Sequence, residues 1–184
     1  MPAANEIAIV MGTEADLLVM QDAAKELDKF GVQYEIDILF THKDPDRLVT
    51  FAKTAQQRKL RVIIAGASGA AHLPGMIAAY TPIPVIGVPI KADYSIDGLD
   101  AIYSILQMPD GVPVATMALN GAKNAALFAL QILGCTHDSY SELVSAYKNK
   151  IKADAARSAT LLSSSGYERF TAQIQSNGTG NSNR

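Results

Sequence analysis

The chain has 184 residues, 48% of them apolar, and its 16 basic and 18 acidic residues nearly balance. That length and apolar content suffice for one compact domain that buries most of its surface. The basic residues are scattered, which excludes the charge pattern of nucleic-acid-binding proteins and of polybasic membrane anchors. We therefore expect a small-molecule ligand, with neither nucleic acid nor membrane as a partner.

The cysteine content and the N-terminus bear on the cellular compartment. Cys135 is the only cysteine, so no internal disulfide can form. The first residues, MPAANEIAIVMG, lack the charged start and apolar stretch of a secretory signal. Apolar windows are interrupted by Gly, Pro and His well before the roughly 20 residues that a membrane helix needs. We expect a cytoplasmic protein, with Cys135 buried at the end of an apolar helix.

Apolar runs alternate with segments of helical periodicity along most of the chain. β-rich runs predict strands at residues 6–12, 33–40, 60–67, 84–90 and 112–119. Apolar residues at helical spacing predict helices at residues 13–31, 44–59, 75–81, 98–108 and 121–135. Strands that alternate with helices and are apolar on both faces are typical of a parallel sheet covered on both sides. The pattern predicts a three-layer α/β fold with its ligand site at the carboxyl ends of the strands.

The composition changes after Cys135. Residues 136–170 have the pattern of a polar surface or interface helix, and residues 171–184 include SNGTGNSNR, which is too polar to join a core. We therefore predict an α/β domain at residues 1–135, a helical extension at 136–170 and a disordered polar tail at 171–184.

The first predicted strand ends in a glycine turn that opens a helix. Gly12 and Thr13 could offer backbone N–H groups and a hydroxyl to an anion, and Asp16 could accept a hydrogen bond from a sugar hydroxyl or an amine. The alternative is a simple helix N-cap, for which these residue types are equally suited. Both interpretations stay open on spacing alone.

A histidine and a lysine follow the second predicted strand. His42 after an apolar run could be a structural residue, since a lone histidine at a strand end is more often structural than catalytic. Lys43 beside it could bind a phosphate as a point charge and would disfavour protonation of the imidazole, or it could be merely solvated. The pair is a candidate site.

The third predicted strand leads into GASGAAHLPG, the most unusual stretch of the chain. Its small residues, including Ala67, Ser68 and Gly69, would let backbone amides approach a ligand closely, and a rigid turn follows His72. A tight helix-packing turn would need fewer small residues, so the run favours a ligand cradle. The later segment QMPDGVPVAT could close the site or form only a turn. No metal-type spacing of His, Cys and carboxylates stands out, so we expect no metal site.

Six ordered blocks resemble one known family. They are IVMGTEADLLVM, THKDPDRLVTFA, VIIAGASGAAHLPGMIAAYT, PVIGVP, YSILQMPDGVPVAT and NAALFALQIL. In this order and spacing they resemble the AIR carboxylase family, whose mutase branch converts N5-carboxyaminoimidazole ribonucleotide into 4-carboxy-5-aminoimidazole ribonucleotide. The HLPG block is similar to that mutase branch rather than to the branch that uses free carbon dioxide.

The resemblance implies a flavodoxin-like fold, a homo-octamer with active sites at subunit junctions, a ribonucleotide substrate, and no metal or organic cofactor. It implies that the substrate loses carbon dioxide in a closed pocket and that the trapped gas carboxylates the adjacent ring carbon. His42 takes the position of the histidine that moves the ring proton, a task suited to an imidazole. His72 is the second expected catalytic residue and helps to enclose the gas. The expected substrate contacts are Gly12, Thr13, Asp16, Lys43, Ala67, Ser68, Gly69 and Leu73.

The chain departs from the family pattern where the family holds the phosphate. Ala15 and Phe40 stand where the family has serines, Lys43 replaces an arginine, and Asp44 adds a negative charge. Each lost contact to a charged group could cost on the order of 1.5–3 kcal/mol. Ser68 replaces a usual glycine of the cradle. A relative that transfers or removes carboxyl groups on another, unphosphorylated substrate is therefore an alternative to the ordinary mutase, and a non-catalytic subunit is a third.

Overall fold

A computed structural model describes residues 5–178. Its strands are β1 Ile7–Met11, β2 Tyr34–Ile38, β3 Val62–Ser68, β4 Val85–Ile90 and β5 Ala115–Thr116. Its helices are α1 Leu17–Lys29, α2 Pro45–Thr54, α3 His72–Tyr80, α4 Leu99–Leu106, α5 Ala122–Gly134 and α6 Asp138–Gly178. The predicted alternation of strands and helices is confirmed, although β5 is much shorter than the predicted strand at 112–119.

The strands form one parallel sheet in the order β2-β1-β3-β4-β5. Strands β1 and β4 are buried along their whole length, and β3 is buried up to its last residue, as expected for a sheet covered on both faces. Helix α1 packs on α5, and α3 packs on both α2 and α4. The predicted three-layer, flavodoxin-like α/β fold is therefore confirmed.

The strand register brings the predicted site segments to one edge of the sheet. Met11 at the end of β1 pairs with Ile38 of β2 on one side and with Gly66 of β3 on the other. Because all strands are parallel, the loops after β1, β2 and β3 leave the sheet side by side. A Cβ at Gly66 would overlap the side chain of Met20 and come within 3.0 Å of Ile90 Cδ1, so this position requires glycine.

The C-terminal part differs in detail from the sequence-based prediction. The described residues divide into two compact units, with the boundary between Ser141 and Glu142. Helix α6 is interrupted at Gly166 and continues to Gly178, so positions 171–178 are helical instead of forming a loose tail. The helix-forming residues of ERFTAQIQ explain this extension. Residues 179–184 of the predicted tail lie outside the described residues, and the three-part division stays a prediction.

Two further expectations can be compared with the structure. The expected burial of Cys135 is wrong: this residue is the C-cap of α5 and is exposed, two positions after the last buried residue of the helix, Leu133. Across residues 5–178, none of the helices combines the length and the apolar character needed to cross a bilayer.

Candidate active site

An open pocket of about 270 Å³ lies at the carboxyl edge of the sheet. The loops after β1, β2, β3 and β4 each contribute to its wall. Its lining comprises Gly12, Thr13, Asp16, Phe40, Thr41, His42, Lys43, Ala67, Ser68, Gly69, Ala70, Ala71, His72 and Tyr94. The structure thus brings three separately predicted segments into one site.

Two histidines from different loops meet in this pocket. His42 Nε2 lies 3.2 Å from His72 Nδ1, and the rings are edge to face, with centroids 5.0 Å apart and an interplanar angle of 82°. Such a contact needs an N–H on one nitrogen and a lone pair on the other. The tautomers of the two rings decide which nitrogen donates. Both side chains are exposed, which leaves them accessible to a ligand.

The position of His72 depends on two left-handed residues before it. Gly69 has φ 61° and Ala71 has φ 44°, and the Ala71 amide donates to the Ser68 carbonyl at 3.1 Å. The left-handed region costs a non-glycine residue roughly 1–2 kcal/mol, so the surrounding packing must hold Ala71 there. Ala71 is only 4% exposed, which is consistent with that constraint. The turn places His72 at the start of α3.

Asp16 is buried at the floor of the pocket. Its side chain makes no capping bond to α1; instead, the Thr13 amide donates to its Oδ2 at 2.9 Å. A side chain that accepts from the amide three residues before it makes the return contact of a capping box, so the helix-start alternative stays beside the ligand role. Burial raises the pKa of Asp16, and interactions with the Ser68 and Thr13 side chains and with backbone amides partly offset that rise. Asp16 is only 2% exposed, and it lines the pocket while its carboxylate is held by the loop after β1.

In the loop after β2, the two charged side chains Lys43 and Asp44 point to different places, which the sequence did not indicate. The Asp44 carboxylate accepts from the Arg47 amide at 3.2 Å and caps α2, whose first residue is Pro45. Asp44 does not line the pocket. Lys43 does, with its Nζ 5.2 Å from the centroid of the Phe40 ring. The negative charge expected beside the phosphate is therefore engaged in a helix cap.

Nearly all the predicted site residues lie together. Those that line the pocket are Gly12, Thr13, Asp16, His42, Lys43, Ala67, Ser68, Gly69 and His72. Leu73 does not: its side chain is fully buried in the hydrophobic core beneath α3. Its role in substrate binding stays a prediction. The segment 107–116 does not line this pocket either, and Met108 packs against Gly75 of α3, 2.6 Å from where a Cβ would stand.

Sequence reasoning missed Tyr94. This residue follows β4, lines the pocket, and places its hydroxyl 3.0 Å from Ser68 Oγ. The sequence could have pointed to it, because the run at residues 84–90 is predicted as a parallel strand and its carboxyl end must reach the same sheet edge. A tyrosine in a loop at that edge was a candidate for the same pocket.

Comparison with known proteins places these features in a family. A family model described as AIR carboxylase matches residues 6–154. The N5-carboxyaminoimidazole ribonucleotide mutase of Thermotoga maritima is 48% identical over 167 residues, which cover 91% of this chain and 97% of that protein. The protein of the same name from Pyrococcus horikoshii is also 48% identical, with 91% and 94% covered. The crystal structure of Treponema denticola PurE superposes with a TM-score of 0.75 at 28% identity, over 88% of this chain and 98% of that chain. The chain belongs to the AIR carboxylase family.

Proposed function

We propose that this protein is an isomerase of purine biosynthesis that converts N5-carboxyaminoimidazole ribonucleotide into 4-carboxy-5-aminoimidazole ribonucleotide. Its relatives with that name match nearly their whole length at 48% identity. The observation that carries the chemistry is the contact between His42 and His72 beside a wall of small residues. The reaction needs no metal or organic cofactor.

The proposed reaction is an internal transfer of one carboxyl group. The bond between the amine nitrogen and the carboxyl carbon breaks, its electron pair stays on nitrogen, and carbon dioxide is released into the pocket. Ring carbon 4 then forms a bond to that carbon dioxide and loses its proton, and a proton is returned to the amine. Atoms and charges balance without another reactant, so the enzyme has to retain the gas and move one proton.

His42 is the group that we propose moves this proton. It lines the pocket from the loop after β2 and is within hydrogen-bond distance of His72, which can hold it in one orientation and tautomer. A neutral His42 can accept the ring proton at the nitrogen that carries its lone pair, and its contact with His72 keeps the ring in place. A positioned acid/base of this kind typically contributes about 10²–10⁴-fold to a rate.

The ribonucleotide would bind across the loops after β1 and β2. We propose that Thr13, the Gly12 turn and Lys43 face the phosphate, while Asp16 accepts hydrogen bonds from ribose hydroxyls. Ala67, Ser68 and Gly69 form the wall beside the base. Lys43 can supply only a point charge, and Ala15 and Phe40 have no hydroxyl, so the phosphate site is weaker than one built from serines and an arginine.

This weaker phosphate site favours a second candidate function. A relative that moves or removes the carboxyl group of an unphosphorylated substrate would keep the histidine pair and the small-residue wall, and would not need the missing hydroxyls. Asp44 lies outside the pocket lining and its carboxylate accepts from the Arg47 amide, which weakens its repulsion of a phosphate and so supports the ribonucleotide. We therefore place the ordinary mutase first.

We also propose that the protein assembles as a homo-octamer with its sites near subunit junctions. Helix α4 exposes large apolar side chains on one face, with Leu99 45%, Tyr103 55% and Leu106 61% exposed. Their spacing puts them on a single stripe, which is the pattern of a helix covered by a neighbour. The octameric number comes from the family resemblance. The cytoplasmic location expected from the sequence stays a prediction.

The decisive experiment uses purified protein and N5-carboxyaminoimidazole ribonucleotide. Formation of the 4-carboxy product is followed against the spontaneous background, and the melting temperature is measured with and without ligand. We expect acceleration together with a rise in melting temperature, since a ligand that binds only the folded state stabilises it. Absence of both effects would refute the mutase function, and a rise in melting temperature without turnover would favour a non-catalytic binding protein.

A further inference from the structure

The loop after β4 places an aromatic side chain at the mouth of the pocket. Tyr94 donates to or accepts from Ser68 through hydroxyl oxygens 3.0 Å apart. A Cβ built on Gly69 would lie 3.0 Å from Tyr94 Cε2, so the ring lies directly against the glycine. The tyrosine is nevertheless 73% exposed, and therefore its position is set by these contacts and not by core packing.

The loop itself is held by local polar contacts. The Lys91 amide donates to Asn120 Oδ1 at 3.0 Å, and the Lys91 ammonium pairs with Asp97 at 3.0 Å. The Ala92 amide donates to Ser95 Oγ at 2.9 Å. These contacts flank Tyr94 on both sides and fix where the loop leaves the sheet. The ring is thus presented to the pocket by an ordered loop.

The Tyr94 hydroxyl stands between Ser68 and the ligand space. Ser68 and Asp16 both line the pocket, and the Ser68 hydroxyl lies 3.0 Å from that of Tyr94, where either oxygen can donate. A hydroxyl is both a donor and an acceptor, and this one contact leaves the tyrosine oxygen with hydrogen-bonding capacity for a ligand. The Tyr94 hydroxyl can therefore hydrogen-bond a polar group of the ligand.

We infer that Tyr94 is a specificity-determining residue of this site, whose hydroxyl hydrogen-bonds a polar group of the ligand at the pocket mouth. The inference rests on the proposed function, because the ribonucleotide carries hydrogen-bonding groups on its ribose and at its amine nitrogen. Its ring also narrows the pocket beside Gly69, where a smaller side chain would leave the mouth open. Ser68, which stands where the family usually has glycine, is the residue that orients this tyrosine.

The test removes the hydroxyl while keeping the ring. Tyr94→Phe should raise KM for the ribonucleotide about 3- to 10-fold with kcat within a factor of about two, since one neutral hydrogen bond to the ligand is lost. Tyr80→Phe, which removes the hydroxyl of an exposed tyrosine at the C-terminal end of α3 and outside the pocket, is the matched control and should change neither constant. The melting temperature of the free protein should be the same in both variants.

A second variant tests the orienting role of Ser68. Ser68→Gly should also raise KM, and adding Tyr94→Phe to it should have little further effect, because the tyrosine has already lost the hydrogen-bond partner that orients it. An unchanged KM in Tyr94→Phe would overturn the inference, as would a fall in kcat at constant KM. If the wild type shows no turnover, the proposed function fails separately. Calorimetry then measures the dissociation constant of the ribonucleotide for wild type and for Tyr94→Phe. A value about 3- to 10-fold higher in the variant supports the inference, and equal values overturn it.

Discussion

The segments 40–44 and 66–72 each carry one histidine of the pair, but they are built in opposite ways. In the segment 66–72, the end of β3, the turn after it and small buried residues set the geometry, with Gly66 and Ala71 tightly enclosed. In the segment 40–44, which follows β2, exposed side chains do so: Lys43 contacts the Phe40 ring, and the Asp44 side chain caps α2.

This difference shows where the chain can change without unfolding. An enclosed turn tolerates few substitutions, because any added atom meets a neighbour. An exposed loop can exchange its side chains at little cost in stability. Most of the departures from the family pattern, including Phe40, Lys43 and Asp44, fall in the exposed segment, so substrate preference can vary there while the fold stays constant.

The largest expected effect separates activity from stability in the exposed segment. His42→Asn should lower kcat by about 10²–10⁴-fold, because the proton carrier is lost, while the melting temperature stays within about 1–2 °C of wild type. His137→Asn, at an exposed histidine outside the pocket, is the control and should retain full turnover. Full activity of His42→Asn would remove His42 from the mechanism.

The enclosed segment should show the reverse behaviour. Gly66→Ala should destabilise the fold by about 1–3 kcal/mol, since the new methyl group overlaps Met20. Chemical denaturation measures this loss. In a Met20→Ala background the same substitution should cost much less, because the space is vacant. Equal costs in the two backgrounds would mean that the contact with Met20 does not explain the glycine.

The smallest expected effect tests whether Asp44 caps α2 or repels the substrate phosphate. Asp44→Ala should cost about 1 kcal/mol of stability through loss of the cap, whereas Asp44→Ser should restore most of it because serine also caps helices. Neither variant should lower KM for the ribonucleotide by more than about two-fold. A much lower KM in Asp44→Ser would show that the carboxylate repels the phosphate, contrary to its position outside the pocket.

The fold could be predicted from the sequence because its signals are periodic and local. The apolar runs at 7–11 and 62–67 can only be buried strands, and the glycines between strand and helix mark the turns. The segments of the candidate site followed from the rule that ligands bind at the carboxyl ends of parallel strands. The residue types at those strand ends were therefore enough to predict where the candidate site lies.

What escaped prediction depends on side-chain direction. No pattern says that Asp44 turns towards the Arg47 amide, that Asp16 turns back towards Thr13, or that Tyr94 reaches Ser68 across two loops. Leu73 follows a catalytic candidate directly in sequence and yet points into the core, because successive residues of a helix face different sides. Adjacency in sequence was an unreliable guide at that position.

The central claim is that carbon dioxide stays in the pocket between its release and its capture. The most direct test runs the reaction with unlabelled N5-carboxyaminoimidazole ribonucleotide in buffer that contains ¹³C-bicarbonate, and measures the mass of the 4-carboxy product at early times. The account predicts a product whose carboxyl carbon comes almost entirely from the substrate and is unlabelled. A product that carries the ¹³C label of the buffer would contradict it.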